Sequence, residues 1–204
     1  MKAPVEGDLG YTLILPAGWV MLPTGDGAAA AIKSLAATLS AEAPRDERRA
    51  RADRLTRALQ PLIDDARAAH ARDVVIPISQ PWVVPASVSI TIATTPLAPG
   101  LDAADLDTDA TRRGQTSTML TPAGTALREV VSPSSEPDGS VRRVVTYTWV
   151  PRDGLGVIAT LVIGATAFEG VQDIVSALQD LGETVMGSIA WTTATARPEG
   201  RDAS

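Results

Sequence analysis

The side chains able to do chemistry are few and scattered. The chain has no cysteine, which excludes disulfides, thiolate zinc sites, iron–sulfur clusters and cysteine nucleophiles. His70 is the one histidine. A serine triad or a histidine metal pair would have to use it alone or with carboxylates. It falls at the end of a predicted helix, where it reads as a C-terminal capping residue. Asp105, Asp107 and Asp109 have the spacing of the first ligands of a calcium loop. Ala110 stands where that loop needs glycine for its sharp turn, and Thr116 where it needs a bidentate glutamate. The segment reads as a solvated acidic loop, and calcium or zinc is not expected to stabilise the protein. Glu129 and Glu136 fall on a strand and a turn without the pairing that glycoside chemistry requires.

Two glycine patterns approach nucleotide motifs and miss. Gly27 to Ser34 lacks the glycine before Lys33; Ile32 is there instead, so the backbone cannot curl around a phosphate. Gly25-Asp26-Gly27-Ala28-Ala29-Ala30 matches a loose dinucleotide pattern, without the preceding strand and the later acidic strand end that such a site needs. Both read as the entry to an alanine-rich helix. No cofactor and no metal are expected.

The segment Gln80-Pro81-Trp82-Val83-Val84-Pro85 is more informative. Proline restricts its backbone on both sides, so a large apolar group could be presented at little entropic cost. Tryptophan is enriched at binding hot spots. Trp82, Val83 and Val84 are therefore the candidate partner-binding residues. The competing reading folds Trp82 back over a sheet edge.

The periodicity supplies elements to position these residues. Tyr11–Leu15 reads as a strand closed by the turn Pro16-Ala17-Gly18. Ala28, Ile32, Leu35 and Leu39 form a helical stripe. A longer helix, Arg45 to Ala71, buries Leu55, Leu59, Leu62, Ala66 and Ala69, with a kink or break expected at Pro61. Its arginines alternate with acids at i,i+4 spacing, the pattern of a solvated face. Val74–Ile78 is a short strand that Pro77 assigns to an edge. Ala86–Thr95 alternates strictly, so one face is buried and the other wet. Strands follow at Thr116–Leu120, Thr125–Val131, Val141–Val150 and Leu155–Ala165. The last is apolar on both faces and should be central. Thr166 to Glu169 fits a capping box for a final helix with Val171, Ile174, Val175, Leu178, Val185 and Ile189 inside. Gly182 should loosen its middle. This order predicts one α+β domain, residues 1–191: an antiparallel sheet of about six to seven strands covered by amphipathic helices. Residues 192–204 form a polar, frayed tail.

The formal net charge of −6 argues against nucleic acid and against electrostatic attachment to anionic membranes. The most apolar run, Leu155 to Ala167, is shorter than the ~20 residues of a bilayer span, so no membrane insertion is expected. The start, Met1 to Asp8, is acidic and carries no leader pattern. The expectation is a cytoplasmic protein. The alanine and arginine bias fits a GC-rich genome.

The opening Tyr11, Leu13, Leu15, Pro16, Gly18 and Trp19 resembles the first hairpin of the PsbP-like superfamily, which includes photosystem II extrinsic subunits, Ran-binding Mog-type proteins and mycobacterial LpqN-type lipoproteins. The ending Val185-Met186-Gly187-Ser188-Ile189-Ala190-Trp191 is similar to the close of their last helix. The order of elements also resembles uncharacterised actinobacterial proteins. The long helix 45–71 departs from the short form of the fold, and the lipoprotein signal and cysteine of the LpqN type are missing. The resemblance implies a PsbP-like fold, with Trp19 and Trp191 buried close together. It also implies function through a bound protein partner, in actinobacteria alongside specialised (type VII) secretion. The expectation is a non-enzymatic binding or accessory protein. One alternative is an enzyme with a carboxylate and arginine pocket near Pro96–Thr111. Another is an oligomerisation domain using the helix 45–71.

Overall fold

The computed structural model describes residues 9–78, 82, 84–100, 115–131 and 140–193. Seven antiparallel strands form the main sheet, in the order β2 (Trp19–Pro23), β3 (Ala71–Pro77), β4 (Ala86–Pro96), β8 (Leu155–Ala165), β7 (Val141–Arg152), β6 (Gly124–Val131) and β5 (Gln115–Thr121). β8 is central, as its two-sided apolarity demands. Val88, Ile90 and Ile92 of β4 and Val145, Tyr147 and Trp149 of β7 all point into one core, so the alternation along these strands was a true guide to their inner faces.

Helices lie on both faces. α3 (Val171–Gly187) buries Val175, Leu178, Val185 and Met186 against the main core. Beside it lies a two-stranded ribbon of β1 (Leu9–Thr12) and β9 (Ala190–Thr193), whose Leu9, Tyr11 and Trp191 pack on the same core. The hairpin of α1 (Ala28–Ser40) and α2 (Arg48–Ala68) takes the opposite face at β2 and β3. There Ile32, Ile63 and Ala66 cover Leu22, Val74 and Ile76 in a second core. Further along that face, β4, β8 and β7 expose or half-bury Ser89, Thr91, Thr160, Val162 and Val144.

Several expectations need correction. β1 covers Leu9–Thr12 rather than Tyr11–Leu15, because the chain must leave the ribbon to reach the Pro16 turn, where Trp19 N–H donates to Pro16 O at 3.1 Å. β3 is an inner strand. Pro77 is tolerated because pairing with β4 has ended at Val75↔Ile90, while Pro77 meets only Trp19. α2 starts at Arg48 and runs unbroken through Pro61 to Ala68; Pro61 lies on its exposed side. It stops there because His70 adopts φ 59°, a left-handed turn that no helix continues. α3 opens at Val171 behind Gly170, φ 80°, without a side-chain cap, so Thr166 to Glu169 is not a capping box. Gly182 does not loosen α3. It is the seat where the helix meets β8: a Cβ there would stand 2.5 Å from Leu161 Cδ2. β9 was not foreseen, and it carries Thr192 and Thr193 into the ribbon.

Candidate functional site

Trp82 stands at the entry to β4. Its ring is half-buried against the main core, and its indole N–H donates to Ala86 O at 3.0 Å. Val84 packs on the same core, and Ala86 N–H donates to Val84 O at 2.8 Å. Pro85 O accepts Thr166 N–H at 3.2 Å. The loop is thus tied to the start of β4 and the end of β8. Val83 lies outside the described residues. Both readings of Trp82 meet here: the indole is anchored to its own loop, and part of it remains accessible.

On the opposite side of the sheet, next to Pro85, an open groove of about 600 Å³ crosses the ends of β4, β8 and β7. Ser87, Gly164 and Arg142 stand directly opposite one another on these strands and line it. None of the three was singled out in the sequence. β8 is apolar on both faces and gives no sign of which way Gly164 looks, and only the register between strands brings the three into one row.

A polar seam runs between α3 and the sheet. Gln172, Ser176, Gln179 and Glu183 recur at helical spacing along α3. Arg143 donates to Gln179 Oε1 at 2.9 Å, and Gln179 donates to Glu183 Oε1 at 2.7 Å. Arg128 pairs with Glu183. Burial raises the Tyr147 phenol well above its ordinary pKa; Glu183 adds to the rise and Arg128 opposes it. Among the described residues, the Tyr147 hydroxyl and Arg128 Nε are buried without a well-formed hydrogen bond, although the two side chains lie near each other. This cluster combines an acid, a base and a phenol, but it is covered by α3. Its members clamp that helix to the sheet rather than face a substrate.

The remaining candidates separate. His70 closes α2 with its backbone: its N–H donates to Arg67 O at 2.9 Å. Its side chain is exposed. Lys33 is exposed on α1. The acidic loop with Asp105, Asp107 and Asp109, and most of the pocket imagined near Pro96–Thr111, lie outside the described residues. Among the described residues no group of three His, Asp or Glu side chains could hold a metal ion, and no helix is long and apolar enough to cross a membrane. On α2, Arg49, Arg51 and Arg54 stay exposed. The i,i+4 partners Glu47/Arg51 and Arg49/Asp53 do not close into ion pairs, as expected for side chains better solvated by water.

No family model and no curated protein matches the chain. Among the solved structures, it is similar to LpqN, described as involved in cell envelope biogenesis of Mycobacterium tuberculosis. The TM-score is 0.50 and the identity 13%, covering 93% of this chain and 87% of that one. The match supports the expected α+β class: a seven-stranded antiparallel sheet with helices, a fold shared with LpqN. The cytoplasmic expectation does not stand. The solved protein that shares the fold is one of cell envelope biogenesis, and residues 1–8, on which the expectation rested, lie outside those described.

Proposed function

We propose that this chain is a non-enzymatic protein-binding module acting in cell-envelope biogenesis, and that its partner docks at the entry to β4, on Trp82 and Val84. The observation that carries the site is the held but still partly accessible indole. Trp82 is fixed by the Ala86 hydrogen bond and by packing, so little freedom is lost when a partner covers the rest of it. Val84 beside it extends the apolar contact, and a rigid aromatic anchor is what hot spots require. The envelope setting is taken from LpqN, whose fold this chain shares. Association with specialised (type VII) secretion is the finer form of the same reading.

Site-specific photo-cross-linking in native cells tests this. A photoreactive residue in place of Trp82 or Val84 should capture one envelope protein, and the same residue at Lys33, exposed on α1, should not. Equal capture at all three positions would defeat the assignment.

A further inference from the structure

The row Ser87, Gly164, Arg142 forms a notch in the open face of the sheet. Directly opposed residues on neighbouring strands send their side chains to one face, and such strands lie about 4.8 Å apart. The middle residue of this row has no side chain. A Cβ at Gly164 would meet Ser87 Oγ at 3.1 Å, so the glycine keeps the floor low between a hydroxyl and a guanidinium. The next residue of β8 on the same face, Val162, continues the floor, and Pro85 and Thr166 stand at the rim. Arg142 is exposed. Among the described residues its side chain makes no ion pair and no hydrogen bond, whereas its neighbour Arg143 is engaged with α3.

A guanidinium with no partner among the described residues, beside an apolar floor, selects its ligand by charge. Its planar fork matches one carboxylate. A dianionic phosphate would call for further cations, and among the described residues the groove's lining has none besides Arg142. The groove's volume of about 600 Å³ lies in the range of a small-ligand site. It is open to solvent along its length, so it suits a segment that continues outward rather than an enclosed small molecule. It adjoins the loop that holds Trp82 through Pro85 and Ala86. We infer that the groove receives an extended apolar peptide segment bearing one acidic side chain. The carboxylate pairs with Arg142 and the peptide backbone crosses Gly164. This rests on the protein-binding reading above and adds the chemistry of the partner.

The probe is a hexapeptide with a single glutamate between valines and both ends blocked, beside its glutamine counterpart. It is titrated into the isotope-labelled full chain and followed by amide resonances. The glutamate peptide should shift Ser87, Gly164 and Arg142 saturably. It should bind roughly tenfold tighter than the glutamine peptide, the contribution of a charge-assisted hydrogen bond. Arg142→Gln, at an exposed position, should keep the unfolding midpoint and abolish the glutamate preference. Gly164→Ala should weaken both peptides. No saturable shift in this row, or a preference that survives Arg142→Gln, overturns the proposal. The protein-binding reading fails separately, if photo-cross-linking at Trp82 and Val84 captures nothing. Capture there with unchanged partner affinity for Arg142→Gln would leave that reading standing and remove the groove.

Discussion

Tyr11 and Trp191 stand directly opposite each other in the β1–β9 ribbon. They come from the opening and closing motifs of the chain, and the fold joins those motifs into one unit. Ser188 Oγ accepts the Ile14 N–H at 2.8 Å and donates to Val185 O at 2.7 Å. Trp191 lies edge-on to Trp149, with ring centroids 6.3 Å apart. The Tyr11 hydroxyl donates to Asp73 on β3. Trp19 is buried in the same core and Trp191 is half-buried on it, so the closing aromatic is less enclosed than expected.

The two tyrosines of the chain, Tyr11 and Tyr147, should report unfolding at high pH. Burial is the largest cause raising each phenol; Asp73 adds to it at Tyr11 and Glu183 at Tyr147. Both stay protonated in the folded state where the unfolded chain has begun to lose its protons. Their contribution is therefore complete below about pH 10 and is lost as the pH rises beyond it. With both groups unionised in the folded state, stability should fall by up to about 2.7 kcal/mol per pH unit. Phenolate absorbance should appear only together with unfolding. Phenolate formed near pH 10 in protein that is still folded would contradict the burial of the hydroxyls.

Gly182→Ala should destabilise the protein although it improves helix propensity. Alanine gains about 1 kcal/mol in a helix interior, but the new methyl would press on Leu161, which is fully buried. Overpacking of this kind costs about 1–3 kcal/mol, so urea unfolding should show a net loss of up to about 2 kcal/mol. Adding Leu161→Val should return part of it, since contacting residues couple. Gly187→Ala, with open space around the new methyl, is the control and should not lower stability. A stabilised Gly182→Ala would mean that α3 and β8 are not in close contact there.

His70→Gly should raise stability. His70 is the one described non-glycine residue with positive φ, and its side chain is exposed. Left-handed backbone costs a side-chain-bearing residue about 1–2 kcal/mol, and part of the gain is returned through the greater freedom of the unfolded glycine chain. The net effect should be about 0.5–1 kcal/mol, read as a higher unfolding midpoint. A lower midpoint would show that the imidazole itself supports the turn.

Much of the fold could be read from period and punctuation. Ser87, Ser89 and Thr91 against Val88, Ile90 and Ile92 fixed the faces of β4, and the apolar run from Leu155 identified the central strand. What could not be read were contacts between elements distant in sequence. Gly182 looked like a weak point because its value lies in Leu161. Pro77 looked like an edge because where β4 stops pairing is a tertiary fact. α2 ended early because a histidine took a turn that glycine usually makes. The candidate site divides in the same way. Trp82 and its prolines were visible locally. Ser87, Gly164 and Arg142 carry no local signal, because they form a row only through strand register.

The central claim is that partner binding runs through Trp82, and the decisive measurement is the affinity of Trp82→Ala for the cross-linked partner, expressed per folded molecule. Most of Trp82 is packed, so some loss of stability is expected, about 1–3 kcal/mol on truncation of a partly buried tryptophan. Unfolding curves give the folded fraction, and binding is measured where that fraction is high. The account predicts affinity at least roughly tenfold weaker, as for a hot-spot aromatic. A lowered unfolding midpoint with unchanged affinity per folded molecule would contradict it and make Trp82 a cover for the sheet edge alone.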